Sequence, residues 1–109
     1  MKVSDIIESL SLTPLSLPCP DRQIDGVYIG DLLSWVMGRA SEGNAWITIM
    51  SNVNVVAVAT LADVSCVILA EDVTPEQQII ELAKDKGVNL LKAEANAYSI
   101  ACSFSELGV

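Results

Sequence analysis

Residues 22–37, RQIDGVYIGDLLSWVM, carry the strongest structural signal in the chain. Their first half predicts a short strand, because Ile24, Val27 and Ile29 are branched residues that favour extended backbone. Their second half predicts a helix, because apolar residues recur there at helical spacing, namely Leu32, Leu33, Val36 and Met37. We therefore expect the chain to pass here from a strand, through a turn, into a helix.

The turn between this strand and helix is the first candidate ligand-binding site. Gly26 and Gly30 bracket it, at positions where a positive φ or a close backbone approach is expected. Asp31 suits the N-cap of the helix, since its carboxylate can accept amide hydrogens of the first turn. Helix amides favour an anion, with Arg22 as the nearby cation and Asp25 as an opposing charge. The alternative interpretation is a tight turn that only orients the helix.

Length and composition predict one domain, residues 1–109, that buries a core without disulfides or metals. Hydrophobic residues make up 51% of the chain and the mean hydropathy is +0.46. A parallel sheet buried on both faces explains part of this value, and a subunit interface explains more. We therefore predict a homodimer, with the aromatic residues Tyr28 and Trp35 as candidate interface residues.

The charge balance narrows the choice of partners. The chain has 14 acidic and 6 basic residues, a net charge of −8, which argues against nucleic acid and anionic membrane surfaces. Three separated cysteines and no histidine argue against a metal site. Without a signal-peptide pattern, reduced thiols in the cytoplasm are expected. Residues 47–70 are apolar, but Asp63 and four other polar residues favour a buried strand–helix–strand unit over a membrane span.

Strands and helices are predicted to alternate along the chain. The strands are expected near residues 24–29, 46–50, 66–70 and 88–92. Segment 52–62 is ambiguous, because its valines favour a strand. Its neighbouring strands, however, pair most easily in parallel through a helical crossover, so we predict a helix capped by Asn52. This pattern predicts a single layered α/β domain with a mainly parallel sheet of about four to five strands flanked by helices.

The other elements follow from local signals. Ser4 is expected to cap a short first helix, and Asn96 a last helix near residues 97–107. Thr74 and Pro75 predict a helix start, as N-cap and first helical residue. The three prolines at positions 14, 18 and 20 favour a surface linker over residues 12–20, since proline lacks the donor that a strand ladder needs. The alternative is a brief extended segment at Leu15 and Leu17.

Polar residues follow two of the predicted strands and form the second candidate site. They are Ser51, Asn52, Asn54 and Thr74. Ligands of open parallel sheets bind at the carboxyl ends of the strands, so these side chains could hydrogen-bond a nucleotide or a similar small metabolite. The alternative interpretation is that they only cap the following helices.

Residues 22–34 also resemble the signature of the DRTGG domain, a small regulatory domain related to the N-terminal domain of HPr kinase/phosphorylase. That signature is Arg-x-Val/Ile-x-Gly-Gly-Tyr-x-x-Asp-Leu-Leu-Ser. Here it is matched by Arg22, Ile24, Gly26, Tyr28, Asp31, Leu32, Leu33 and Ser34. Val27 stands in place of the second glycine and Asp25 in place of a usual threonine. The resemblance extends through residues 46–48, 54–63 and 75–91, and implies an α/β fold like that of the HPr kinase N-terminal domain.

The resemblance implies regulation, since such domains are often fused to CBS pairs or to phosphotransacetylase. Our first hypothesis is a non-catalytic ligand-sensing domain without a cofactor, and the alternative is an interaction subunit that docks on a metabolic enzyme. A hydrolase or transferase using Asp21, Asp25 and Asp31 is disfavoured, because the sequence has no histidine and no nucleophile–base set.

Overall fold

The computed structural model describes residues 1–109 and contains five helices and five strands. In chain order they are α1 (Val3–Ser9), β1 (Thr13–Ser16), β2 (Val27–Ile29), α2 (Leu33–Arg39), β3 (Ala45–Thr48), α3 (Val53–Ala62), β4 (Cys66–Leu69), α4 (Gln77–Asp85), β5 (Leu90–Lys92) and α5 (Ala97–Glu106). Helices and strands alternate from β2 onward, as the sequence predicts.

All five strands form one sheet in the order β1-β5-β4-β3-β2. Strands β2 to β5 are parallel, and the register places Ile29 beside Ile47, and Ile47 beside Ile68. Only β1 is antiparallel, paired with β5 at one edge. The prediction of a mainly parallel α/β sheet is therefore confirmed.

The direction of the crossovers decides which helices share a face of the sheet. Each step from β2 to β5 moves to the next strand on the same side. Because such crossovers are right-handed, α2, α3 and α4 all cover one face. Their buried residues, such as Val36, Val56 and Ile80, pack on Trp46 and Leu69 of the sheet.

Helices α1 and α5 cover the opposite face. Ile6 of α1 and Phe104 of α5 pack there against Ile47, Ile68 and Leu91. The alternating side chains of each central strand thus enter two separate cores, which explains why β3 and β4 are buried along their whole length. The two cores account for a large share of the hydrophobic residues noted above.

Strand β1 is a correction to the sequence-based prediction of a linker over residues 12–20. Thr13 and Pro14 pair with Lys92 and Leu91, and the register shifts before Ser16. Proline is tolerated because β1 is an edge strand, where its missing donor can face solvent. The Ser16 hydroxyl donates to the buried carbonyl oxygen of Val88 at 3.0 Å, which anchors the strand.

Three predicted helix caps are also wrong in position. Helix α1 begins at Val3 after Lys2, so Ser4 lies inside the helix and does not cap it. Helix α2 begins at Leu33 after Leu32, and the carboxylate of Asp31 instead accepts from the Thr48 hydroxyl at 2.8 Å and the Ile49 amide at 2.9 Å. The Thr48 hydroxyl and the Ile49 amide at the end of β3 need an acceptor. The Asp31 carboxylate therefore binds them instead of the first-turn amides of α2.

Helix α4 likewise begins at Gln77 after Glu76, two residues later than Thr74 and Pro75 predict. The caps of α3 and α5 are confirmed: Asn52 accepts from the Asn54 amide, and Asn96 from the Ser99 amide, each at 2.9 Å. None of the five helices has both the length and the apolar composition that a membrane span requires.

Candidate functional site

The predicted ligand-binding residues lie at opposite ends of the parallel strands. Arg22, Asp25 and Gly26 precede β2, at the end where the parallel strands begin, which we call the base. Gly30 follows β2, and four residues follow β3 and β4 at the end we call the top, namely Ser51, Asn52, Asn54 and Thr74. The structure therefore does not bring the two candidate groups into one site.

Arg22 at the base contacts the C-terminal end of α3. Its guanidinium donates to Asp63 Oδ1 at 2.9 Å, to the carbonyl oxygen of Asp63 at 3.0 Å and to that of Val64 at 3.1 Å. Asp63 has the left-handed conformation, with φ of 56°, that ends the helix. Arg22 thus ties the segment before β2 to the C-terminal end of α3.

The two glycines that bracket the turn, Gly26 and Gly30, are explained by packing within it. Gly26 has φ of +90°, and a Cβ there would lie 3.1 Å from Asn44 Nδ2, which donates to the Asp25 carbonyl oxygen at 2.7 Å. A Cβ on Gly30 would lie 2.9 Å from the Tyr28 ring. These contacts favour the tight-turn interpretation of residues 25–31.

Asp21, Asp25 and Asp31 are also kept apart. Asp21 lies 3.8 Å from Lys2 Nζ, Asp25 follows it at the base, and Asp31 is held at the top by Thr48. An acid–base pair needs both groups within reach of one substrate atom, so this arrangement does not support the hydrolase hypothesis. No group of three His, Cys, Asp or Glu side chains could hold a metal ion.

The top of the sheet carries an open cleft of about 480 Å³ between the loops that follow β3 and β4. Three of the predicted residues line it together with parts of α3 and α4. The lining consists of Ser51, Asn52, Val53, Thr74, Glu76, Gln78 and Ile79. Asn54 lies outside it, on the exposed side of α3. Sequence reasoning missed Glu76 and Gln78, because it placed the helix start two residues too early.

Lys92 on β5 lies next to the cleft and contacts two polar side chains at its side. Lys92 Nζ donates to the Thr74 hydroxyl at 2.5 Å and lies 3.0 Å from Asp72 Oδ1. Glu71 and Asp72 both have positive φ, and their amides donate to the carbonyl oxygens of Ala95 and Ala93. This turn joins the exits of β4 and β5 and fixes the side of the cleft that carries Thr74.

Hydrogen bonds within the cleft limit what it can bind. Asn52 uses its side-chain oxygen to cap α3, and Glu76 accepts from the Gln78 amide at 3.0 Å. The Asn52 amide hydrogens, the Thr74 hydroxyl hydrogen and the Glu76 carboxylate remain for a ligand. These groups suit a molecule with both donors and acceptors, such as a base or a sugar, better than a bare phosphate.

The three cysteines are free thiols, and Cys66 is the most deeply placed. Burial raises the pKa of the Cys66 thiol to about 12, an effect that the positive charge of Arg22 partly opposes. Because the thiolate is the reactive form, Cys66 is chemically inert at neutral pH. Its role is therefore packing in the sheet.

The two predicted interface aromatics have different surroundings. Tyr28 is half-buried and packs against the core beneath α2, α3 and α4. Trp35 is 54% exposed, and the Arg39 guanidinium lies 4.0 Å from its ring centroid. Of the two, Trp35 is the side chain that a partner can reach.

Comparison with known proteins agrees with this fold. The chain resembles a crystal structure of the CBS and DRTGG domains of the regulatory region of Clostridium perfringens pyrophosphatase, complexed with the activator diadenosine tetraphosphate. The TM-score is 0.71 at 20% identity, over 91% of this chain and 44% of the other, so the chain spans less than half of that protein. No curated protein matches the sequence. The sequence model of the DRTGG domain matches residues 21–107, which is most of the chain, and the protein therefore belongs to the DRTGG domain family.

Proposed function

We propose that this DRTGG domain is a regulatory module that binds a small polar metabolite or a nucleotide in the cleft at the top of the sheet. The observation that carries the proposal is the cleft itself. It joins Ser51 and Asn52, which follow β3, to Thr74 and Glu76, which follow β4. Ligand occupancy would therefore link two separate loops, which is what a sensor requires.

The hydrogen-bonding groups indicate the ligand class. Glu76 can accept from ribose hydroxyls or an exocyclic amine, while Asn52 and Thr74 can donate to ring nitrogens or carbonyls. The regulatory region with the similar fold was solved with a dinucleotide activator, which supports testing adenine nucleotides first. Regulation without catalysis is also supported by the separation of the three aspartates described above.

Calorimetry with AMP, ATP, diadenosine tetraphosphate and acetyl phosphate tests the proposal. We expect one of them to bind, and Thr74→Val to weaken that binding roughly five- to tenfold, as expected for one lost hydrogen bond. Thr13→Val is the matched control, because Thr13 is exposed on β1 and does not line the cleft. An absence of binding, or equal weakening by both variants, would contradict the proposal.

A second candidate function is docking on a metabolic enzyme, and it rests on an exposed apolar patch. We call the exposed apolar residues Ile29, Leu32, Trp35 and Ile49 the edge patch, since they lie on or directly after β2 and β3, at the β2 end of the sheet, or on or just before the adjoining helix α2. Exposed apolar clusters of this kind mark protein contacts. A stoichiometric enzyme partner that co-purifies with the wild type, and is lost in the double variant Leu32→Ser/Trp35→Ser, would support this function.

A further inference from the structure

Helix α3 is unusual because its solvent-facing side carries no charge. In a chain with 20 charged residues, none falls within positions 43–62. Five side chains form the exposed surface of the helix, which we call the α3 ridge: Val53, Asn54, Ala57, Thr60 and Leu61. Val53 is 52% exposed and Leu61 is 71% exposed. A helix this apolar on all sides is normally covered.

A groove runs along each side of the α3 ridge. The groove towards α2 has a volume of about 460 Å³ and includes Leu33 and Met37. The groove towards α4 has a volume of about 340 Å³ and includes Leu82 and Lys86. A ridge between two grooves is the shape that a second helix surface can interlock with.

The order of side chains along the α3 ridge identifies the occupant. Taking Ala57 as the centre, Val53 and Leu61 lie four residues away on either side, and Asn54 and Thr60 lie three residues away. When the same helix is laid antiparallel on itself across Ala57, Val53 therefore lies level with the partner's Leu61, and Asn54 level with the partner's Thr60. The outer levels of the pair then carry only apolar side chains, and the inner levels only hydrogen-bonding ones.

We propose that the α3 ridge is the two-fold interface between two copies of this chain, with α3 packed antiparallel on the partner's α3 across Ala57. A two-fold interface must be complementary to itself, and the pattern about Ala57 meets this condition. The small Ala57 side chain allows the two helices to approach closely at the axis.

The charges at the ends of the interface agree with the same arrangement. Lys86 lies beside the C-terminal half of the α3 ridge, in the groove towards α4. Glu76 lies at the N-terminal end, near Val53. An antiparallel pairing brings the Lys86 end of one copy over the Glu76 end of the other, so that opposite charges meet at both ends. A parallel pairing would place like charges together.

This interface differs from the sequence-based prediction, which placed the dimer contact at Tyr28 and Trp35. Tyr28 is partly covered within one chain, and Trp35 is stacked with Arg39 on α2. Neither shows the self-complementary order that the α3 ridge has. The edge patch is then left free in the dimer for another partner.

The mass in solution tests the interface directly. We expect the wild type to sediment at about twice its chain mass of 11.6 kDa at micromolar concentration. Ala57→Glu places two carboxylates against each other at the axis and should give a monomer with an unchanged circular dichroism spectrum. Trp35→Glu, a change at an exposed position on α2, should stay a dimer. A monomeric wild type, or a dimer that Trp35→Glu dissociates and Ala57→Glu does not, would overturn the proposal.

Cysteine cross-linking tests the antiparallel register without relying on a destabilising change. In a background with Cys19→Ser and Cys102→Ser, the Ala57→Cys chain should oxidise to a disulfide-linked dimer. A mixture of Val53→Cys and Leu61→Cys chains should cross-link to each other. Neither should cross-link to itself, because like positions lie roughly 12 Å apart along the helix axis, beyond disulfide reach. Self-cross-linking of Val53→Cys at the efficiency of the mixture would refute the antiparallel arrangement.

Discussion

At the scale of single residues, the signature side chains are explained first by the fold. Arg22 binds the end of α3, Gly26 makes room for Asn44, and Asp31 binds the end of β3. Their identities were visible in the sequence, but their partners were not, because Asp63, Asn44 and Thr48 lie 17 to 41 residues away or on other elements. Long-range partners of this kind leave no local pattern.

Arg22→Leu should lower the free energy of unfolding by about 2 kcal/mol, because it removes hydrogen bonds from a charged donor to Asp63 and Val64. Arg39→Leu is the matched control, since Arg39 makes only the exposed contact with Trp35, and it should cost under about 1 kcal/mol. Urea unfolding measures both. Equal losses in the two variants would show that Arg22 has no special structural role.

The raised pKa of the Cys66 thiol predicts that the protein loses stability at alkaline pH. Its pKa rises from 9.0 to about 12 on folding, so the folded state holds its proton where the unfolded state releases it. Stability is therefore unaffected below pH 9 and falls above it, by about 1.4 kcal/mol per pH unit. Cys66→Ala should flatten this dependence between pH 9 and 10.5 in urea unfolding. An unchanged slope in the variant would contradict the assignment.

At the scale of elements, periodicity and caps predicted most helices and strands. The helix over α3 was recovered despite its valines, because β3 and β4 need a crossover to pair in parallel. Strand β1 was missed, because prolines lower the strand propensity of this segment. An edge strand nevertheless tolerates proline. The start of α2 was misplaced, because a carboxylate beside a helix can serve another element.

Substitutions at Asp31 test whether its side chain binds the end of β3 or caps helix α2. Asp31→Asn keeps a side-chain oxygen for Thr48 and Ile49, and should cost under about 1 kcal/mol. Asp31→Ser is as good a helix N-cap but is too short to reach β3, and should cost about 2 kcal/mol. Thermal unfolding distinguishes the two. If the serine variant were as stable as the asparagine variant, the main role of Asp31 would be to cap helix α2.

At the scale of the whole molecule, the sequence predicted the sheet type and the family, but not the strand order. The order β1-β5-β4-β3-β2 follows from which edges pair, and a single sequence carries no such information. Of the predicted site residues, Ser51, Asn52 and Thr74 line one cleft, while Arg22, Asp25 and Gly26 lie at the other end of the strands. Arg22, Asp25, Gly26 and Gly30 are close in sequence and were therefore predicted to form one site. Strand β2, however, lies between the first three residues and Gly30.

This separation also determines how a ligand should be recognised. The base holds Arg22 in contacts with α3, whereas the top has unpaired donors and acceptors around an open cleft. A regulatory ligand should therefore act on the loops after β3 and β4 and leave the base unchanged. The dimer proposed across α3 would place two such clefts in one assembly.

An NMR titration of amide-labelled protein with adenine nucleotides tests this account most directly. It predicts saturable shift changes confined to residues 51–54 and 74–79, with the amides of residues 22–26 unaffected. Shift changes centred on residues 22–26, or no saturable change with any nucleotide, would contradict it.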